Sequence, residues 1–161
     1  MPRNGVRGVT CDTGFWIAAF DPKEDQHARA LELFDDLAVH NMLIPWPITY
    51  EVLRTRMVRK PRMVSAFGRV LRLPAARRID DASYRDACLE DTLNEAQHGH
   101  RPLSLVDRVV RAMLQDTTYR IVTFCTFNAS DFHDVCLRRR IEIWPASPYT
   151  RSTRAPEQSP R

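Results

Sequence analysis

The sequence predicts an α/β protein with a mostly parallel sheet of about five strands and helices on both faces. Short apolar runs, several rich in β-branched residues, alternate along the chain with longer segments in which apolar residues recur at helical spacing. The first of these runs ends on an acid, Asp12, and a helix follows almost at once. This strand–helix alternation is typical of parallel sheets, whose neighbouring strands are joined through helices.

Each predicted strand is short and bounded by turn residues. The strands are predicted at residues 6–12, 42–45, 77–80, 121–125 and 141–144. The helices are predicted at residues 15–20, 26–39, 51–58, 63–73, 82–97 and 105–115. Thr49 is the predicted cap of the third helix, Pro61 ends or kinks it, and Ser104 is the predicted cap of the last. Residues 98–102 are predicted to form a turn, and residues 128–133 a loop that passes into a short helical turn.

Length and composition favour one globular domain. The chain has 161 residues, of which 43% are hydrophobic, and we expect a domain at residues 1–148 with a disordered tail at residues 149–161. The longest apolar run, residues 15–20, is far shorter than the ~20 residues that span a membrane. The amino-terminal residues have no apolar stretch typical of a secretory signal, so we expect a cytoplasmic protein without membrane contact. The four cysteines are scattered and are predicted to be reduced core residues.

Positive charge is concentrated in one part of the chain. The net charge is +4, and residues 52–79 contain no acid. The basic residues of this segment are Arg54, Arg56, Arg59, Lys60, Arg62, Arg69, Arg72, Arg77 and Arg78. The segment is either a solvated helical face or a surface that contacts nucleic-acid phosphates, which the guanidinium group binds in a bidentate way.

Four acids follow strands or begin helices in the predicted fold. They are Asp12, Glu51, Asp107 and Asp131. Because the carboxyl ends of parallel strands open onto one crevice, these side chains can face the same space. Each also has a simpler interpretation as a helix-capping or first-turn acid, which stabilises its helix by ~0.3–1 kcal/mol. Crowded carboxylates repel one another unless a cation lies between them, and Mg²⁺ or Mn²⁺ prefers such oxygen ligands. Beside a basic surface, the matching chemistry is metal-assisted hydrolysis of a phosphodiester.

Other kinds of site are disfavoured by the sequence. The turn after the first strand has a single glycine, Gly14, instead of the Gly-x-Gly-x-x-Gly pattern of a dinucleotide site, and no phosphate-binding loop motif is present. A phosphatase with an aspartyl nucleophile at Asp12 would need a second acid at position 14. His98 and His100 are interpreted as turn residues rather than metal ligands.

Four segments resemble, in order and spacing, the successive motifs of PIN-domain ribonucleases, and most closely those of the VapC toxins of bacterial toxin–antitoxin pairs. They read CDTGFWIA at residues 11–18, ITYEVL at 48–53, LSLVD at 103–107 and VTFCTFNASDF at 122–132. The resemblance covers residues 6–144. It implies an α/β/α sandwich, an acidic pocket that binds Mg²⁺ or Mn²⁺, endonucleolytic cleavage of RNA, a homodimer, and an antitoxin that blocks the pocket.

The resemblance also assigns roles to individual residues. It implies that Asp12, Glu51 and Asp107 are metal ligands and that Asp131 is a fourth, more peripheral acid. Asn128 is expected to orient water or substrate, with Thr13 and Ser104 supporting the neighbouring acids. Whether Asp131 or Asn128 is the fourth site residue is left open. Arg108 departs from the small residue expected after Asp107.

The leading hypothesis is therefore a metal-dependent endoribonuclease that acts as a toxin, with Arg54, Arg56 and Arg59 contacting the RNA backbone. One alternative is a non-catalytic module of the same fold that binds RNA or protein and uses its acids as helix caps. Another is a housekeeping RNA-maturation nuclease, which shares the chemistry but has no antitoxin.

Overall fold

A five-stranded parallel sheet forms the centre of the protein, in the order β3-β2-β1-β4-β5. The computed structural model describes residues 8–98 and 102–145, apart from the side chain of Thr55. The strands are β1 (Gly8–Cys11), β2 (Asn41–Pro45), β3 (Ala76–Ile79), β4 (Ile121–Cys125) and β5 (Glu142–Trp144). The helices are α1 (Thr13–Phe20), α2 (His27–Leu37), α3 (Trp46–Val52), α4 (Thr55–Val58), α5 (Pro61–Leu71), α6 (Arg85–Ala96), α7 (Leu105–Gln115) and α8 (His133–Arg139). The α/β class and the five-stranded sheet are confirmed.

The strand order places a topological switch point between β1 and β4. The chain runs outward from β1 through β2 to β3, then returns to the other side of β1 and continues through β4 to β5. Because crossovers between parallel strands are right-handed, the helices before β3 lie on one face of the sheet and those after it on the other. Ligands of such sheets bind outside the carboxyl ends of the strands at the switch point. The ends of β1 and β4 therefore mark the expected site.

Apolar packing on each face fixes the helices against the sheet. On the first face, Trp16 of α1 packs against the rings of Phe20, Phe34 and Phe67, which joins α1 to α2 and α5. Trp16 and Phe67 are fully buried, and burial of such a side chain contributes on the order of 2 kcal/mol or more. A second cluster lies between β3, α6 and α7 and consists of Ile79, Cys88, Val109 and Met113. All four cysteines are free and buried, as predicted.

The region after β2 differs from the prediction. α3 begins at Trp46, with Pro45 as its N-cap and Pro47 in its first turn, so Thr49 is an interior residue rather than the cap. Pro47 favours this early start, because proline suits the first turn of a helix, where its missing N–H costs no hydrogen bond. Glu51 consequently lies in the last turn of α3, and Pro61 begins α5.

Two further predictions about the second half need correction. The segment after β4 contains a turn of 3₁₀ helix, Ala129–Asp131, followed by the full helix α8, where only a short helical turn was expected. The simpler interpretation of Asp131 is met only in part, because Asp131 lies in the first turn of this 3₁₀ helix but the turn has no side-chain cap from Asn128. The predicted tail at residues 149–161 and most of the predicted turn around His100 lie outside the described residues. Within the described parts, none of the helices combines the length and the apolar character that crossing a membrane requires.

Candidate active site

Asp12 lies at the switch point and joins β1, α1 and β4. As the N-cap of α1, it accepts a hydrogen bond at Oδ1 from the backbone N–H of Phe15, at 2.7 Å. Its Oδ2 accepts a hydrogen bond from the hydroxyl of Thr126, the residue that follows β4. The Thr126 hydroxyl in turn accepts from the backbone N–H of Asn128, at 2.9 Å. The carboxylate of Asp12 is thus held in one orientation from both sides.

The environment of Asp12 disfavours its charged form. Burial is the main cause that raises the pKa of Asp12, to about 6, and the nearby charges of Asp107 and Glu51 raise it further. The hydrogen bonds from Thr126 and Phe15 oppose this change, because they stabilise the carboxylate. The net effect is a carboxyl group that loses its proton near neutral pH and repels two other acids, which is a setting that a cation would stabilise.

Glu51 reaches the same region from the last turn of α3. Its Oε2 accepts a hydrogen bond from the hydroxyl of Thr13, the first residue of α1. Thr13 directly follows Asp12, so the two acids approach each other from different helices. The supporting position predicted for Thr13 therefore corresponds to a direct contact with an acid.

Asp107 lies in the first turn of α7, where Ser104 is the N-cap as predicted. The Ser104 hydroxyl accepts from the backbone N–H of Asp107 at 3.0 Å and contacts Oδ2 of the Asp107 carboxylate at 2.8 Å. The capping residue thus also forms a hydrogen bond with the carboxylate of Asp107.

These three acids line one cleft of about 270 Å³. Each carboxylate has a hydroxyl partner: Thr126 for Asp12, Thr13 for Glu51 and Ser104 for Asp107. The cleft is lined by Asp12, Thr13, Gly14, Ile48, Glu51, Ser104, Asp107, Val110, Asn128 and Phe132. The structure therefore brings together, at the predicted edge of the sheet, most of the site residues named from the sequence.

Asp131 is not among the residues that line this cleft. Its Oδ2 accepts a hydrogen bond from the side-chain amide of Asn128, and Asn128 itself lines the cleft. The backbone carbonyl of Asp131 accepts from Arg111, which also forms a two-bond ion pair with Asp134. In this arrangement Asn128 faces the cleft and Asp131 orients it.

The donor set of the cleft matches a hard divalent cation in its chemistry. Carboxylate, amide and hydroxyl oxygens are the ligands that Mg²⁺ and Mn²⁺ prefer. Within the described residues, however, no three Asp, Glu, His or Cys side chains are arranged as a group that holds a metal ion. The fit thus rests on the kind of donors and on the setting of Asp12, whose pKa is raised mainly by burial and to a smaller extent by the charges of Asp107 and Glu51.

Thr126 is a site residue that the sequence prediction missed. The one signal in the sequence was its position directly after β4. That signal was not sufficient, because β1 and β4 become neighbours only in the folded sheet, where Cys11 pairs with Cys125. Strand order is a property of the fold, so the contact between Thr126 and Asp12 could not be read from their spacing of 114 residues.

The predicted RNA-contacting arginines lie beside a different, smaller cleft. Arg54 and Arg56 line it together with Asp21 and Lys60, and both arginines are exposed. They follow a break after α3, so they do not continue the helix of Glu51 as predicted. Arg59 is also exposed, whereas Lys60 is paired with the buried carboxylate of Asp21 and is less available to a phosphate.

Arg108, the departure from the expected pattern, has a structural role. Its side chain is only 10% exposed and forms an ion pair with Glu95 of α6. The hydrogen bond to Glu95 is the main cause that raises the pKa of the Arg108 guanidinium, so the charge is retained. Arg108 thereby ties α6 to the first turn of α7, next to Asp107.

Comparison with known proteins supports the fold. No family model and no curated protein matches the sequence. Among solved structures, the chain is similar to Mycobacterium tuberculosis VapC20, described as a toxin that cleaves the sarcin–ricin loop. The TM-score is 0.59 at 18% sequence identity, and the match covers 78% of this chain and 94% of that toxin. The protein therefore shares its α/β fold with this toxin, in agreement with the fold that its motifs predicted.

Proposed function

We propose that the protein is a metal-dependent endoribonuclease and the toxin of a toxin–antitoxin pair. The observation that carries this proposal is the cleft at the switch point, where three acids are each oriented by a hydroxyl group. The fold shared with a toxin that cleaves RNA supports the same reaction class. The motif resemblance to VapC toxins is consistent with both.

In this proposal Asp12, Glu51 and Asp107 would hold Mg²⁺ or Mn²⁺, which lowers the pKa of a water molecule and offsets charge on the phosphate. Thr13, Ser104 and Thr126 keep the three carboxylates in their orientations through the hydrogen bonds described above. Asn128 presents its amide to the cleft and orients water or substrate, with Asp131 fixing the amide.

The surface charge suits an RNA substrate. Residues 52–79 carry nine basic side chains and no acid, and Arg54, Arg56 and Arg59 are exposed. Such a surface attracts a polyanion and speeds its association at low salt. The remaining partners proposed are an antitoxin protein that blocks the cleft and a second copy of this chain in a homodimer.

Cleavage of RNA by the purified protein tests the proposal. We expect cleavage of structured RNA in Mg²⁺ or Mn²⁺, none in EDTA, and a rate at least about 100-fold lower for Asp107→Asn. Asparagine can still accept the hydrogen bond that the Ser104 hydroxyl donates, and its backbone N–H still donates to Ser104, so the variant should fold. Asp35→Asn, at an exposed position on α2, is the matched control and should cleave at the wild-type rate. Intact RNA with the wild-type protein, or full activity of Asp107→Asn, would refute the proposal.

A non-catalytic binding module is the second candidate, because two of the three acids also serve their helices. Asp12 caps α1, and Asp107 completes the capped first turn of α7. This candidate predicts RNA binding without cleavage in the same assay. A housekeeping nuclease would instead cleave, but co-expression with the product of a neighbouring upstream gene would not suppress its activity.

A further inference from the structure

Three side chains form a row of stacked groups on the surface beside α3. The rings of Trp46 and Tyr50, one helical turn apart on α3, have centroids 5.7 Å apart with their planes tilted by 32°. The guanidinium carbon of Arg78, on β3, lies 5.7 Å from the centroid of the Trp46 ring. An Nη1 of Arg78 also donates to the backbone carbonyl of Leu71 at 3.4 Å, which restrains the guanidinium.

The outer member of this row is largely uncovered. The Tyr50 side chain is 68% exposed, although it belongs to a helix whose other side is buried in the core through Ile48 and Val52. A single exposed apolar side chain needs no explanation. An exposed aromatic ring that is already stacked on a second ring and a guanidinium offers a flat, preformed surface for another planar group.

Two members of the row belong to the helix that also carries two residues of the proposed active site. Ile48 and Glu51 of α3 line the carboxylate cleft, and Tyr50 directly precedes Glu51 in the chain. A helix with its side chains is only ~10–12 Å across, so the Tyr50 ring is within a few nucleotides of any phosphate held in the cleft.

The basic segment to which Arg78 belongs indicates the partner class. Trp46 and Tyr50 come just before the acid-free basic segment in the chain, and Arg78 lies near the end of that segment. Two further arginines of the segment, Arg54 and Arg77, are exposed. Aromatic rings combined with arginines along a basic surface are the elements that bind single-stranded nucleic acid, because every base has a face that can stack. The faces of bases in a continuous duplex are hidden, so a stacking surface selects unpaired bases.

We propose that Trp46, Tyr50 and Arg78 form a stacking platform for an unpaired base of the RNA that enters the carboxylate cleft. This inference rests on the proposed function and adds to it a base-binding site outside the residues that line the carboxylate cleft. The platform binds a base that flanks the cleaved phosphate, and it contributes affinity without taking part in the reaction.

Binding of a fluorescein-labelled single-stranded uridine 10-mer, measured by anisotropy in EDTA, tests the platform without requiring cleavage. Tyr50→Leu keeps apolar bulk but removes the ring, and Tyr50→Phe keeps the ring and removes only the hydroxyl. We expect Tyr50→Leu to raise the Kd by about fivefold or more, which is the factor expected for loss of one weakly stacked base. Tyr50→Phe should bind within about twofold of the wild-type protein. For a blunt RNA duplex, all three proteins should bind alike.

Several outcomes would overturn the platform: wild-type protein that does not bind the 10-mer, Tyr50→Leu binding it as tightly as wild type, or equal losses in both variants. A Tyr50→Leu variant that keeps its RNA affinity but changes from dimer to monomer in light scattering would make this surface a protein interface instead. The two proposals fail separately. If the protein cleaves RNA but the leucine and phenylalanine variants bind the 10-mer equally well, only the platform is refuted. If the two variants differ in affinity but the protein does not cleave RNA, only the proposed nuclease activity is refuted.

Discussion

Asp12 serves the fold and the proposed site with the same carboxylate. Its Oδ1 caps α1 and its Oδ2 connects to β4 through Thr126. The sequence left capping and site membership as alternatives, and the structure shows that they are compatible, because each carboxylate oxygen can accept more than one hydrogen bond. A local sequence pattern reveals the cap but does not reveal what lies across the sheet.

The raised pKa of Asp12 gives a stability prediction for the metal-free protein. Burial raises the pKa from 3.8 to about 6, so the folded state keeps a proton that the unfolded chain has lost between those pH values. The ionised carboxylate therefore destabilises the fold at pH 7.5, by up to about 3 kcal/mol, and this cost vanishes near pH 4. In EDTA, Asp12→Asn should melt several degrees above the wild-type protein at pH 7.5 and at the same temperature at pH 4.

Differential scanning calorimetry at the two pH values measures this difference. Asp35→Asn is the control, because its exposed carboxylate should give no gain at either pH. An Asp12→Asn variant that melts below the wild-type protein at pH 7.5 would show that the ionised carboxylate stabilises the metal-free fold, which is the opposite of the expected effect.

Among the elements, α7 and α3 show what local sequence does and does not determine. α7 was predicted to the residue, because Ser104 caps it and its apolar positions recur at helical spacing. The predicted start of α3 was wrong, because the helix begins at Trp46, with Pro47 in its first turn, before the predicted cap Thr49. Glu51 therefore lies in the last turn of α3 rather than in the first turn of a helix. Its side chain still lines the cleft, so the wrong helix start did not affect its placement among the other acids.

α6 is held to α7 by an ion pair of Arg108, which the sequence showed only as a departure from the expected small residue. Cys88 is its buried residue, and Leu89 and Leu93 are exposed, so its apolar contact with the sheet is small. The ion pair between Arg108 and Glu95 compensates by joining α6 to α7. Arg108→Met removes the charge and keeps most of the packing, whereas Arg108→Ala removes both.

We expect Arg108→Met to lower the free energy of unfolding by about 1 kcal/mol, since the Glu95 partner is partly exposed, and Arg108→Ala to lower it further. Urea unfolding measures both changes, and hydrogen exchange should show faster opening of α6 than of β1 in the variants. Wild-type stability and exchange in Arg108→Met would contradict the role of the ion pair.

At the scale of the whole molecule, the alternation of strands and helices was enough to predict a parallel sheet with helices on both faces. The strand order was not predictable in this way. It depends on where the chain adds its next strand after β3, and here that strand, β4, pairs with β1 on the other side of the sheet. That order is what brings the ends of β1 and β4 together and creates the switch point. The acids could therefore be named from the sequence, but the cleft that they share could be recognised only in the folded structure.

The central claim is that Asp12, Glu51 and Asp107 together hold a divalent cation, and thermal unfolding at pH 7.5 with and without Mn²⁺ tests it most directly. A ligand that binds only the folded state stabilises it by about 2.7 kcal/mol at 100 times its Kd, which is several degrees for a domain of this size. We expect such an increase in melting temperature for the wild-type protein and for the control Asp35→Asn, and none for Glu51→Gln or Asp107→Asn. An equal increase in all four proteins, or no increase in the wild-type protein, would contradict the claim.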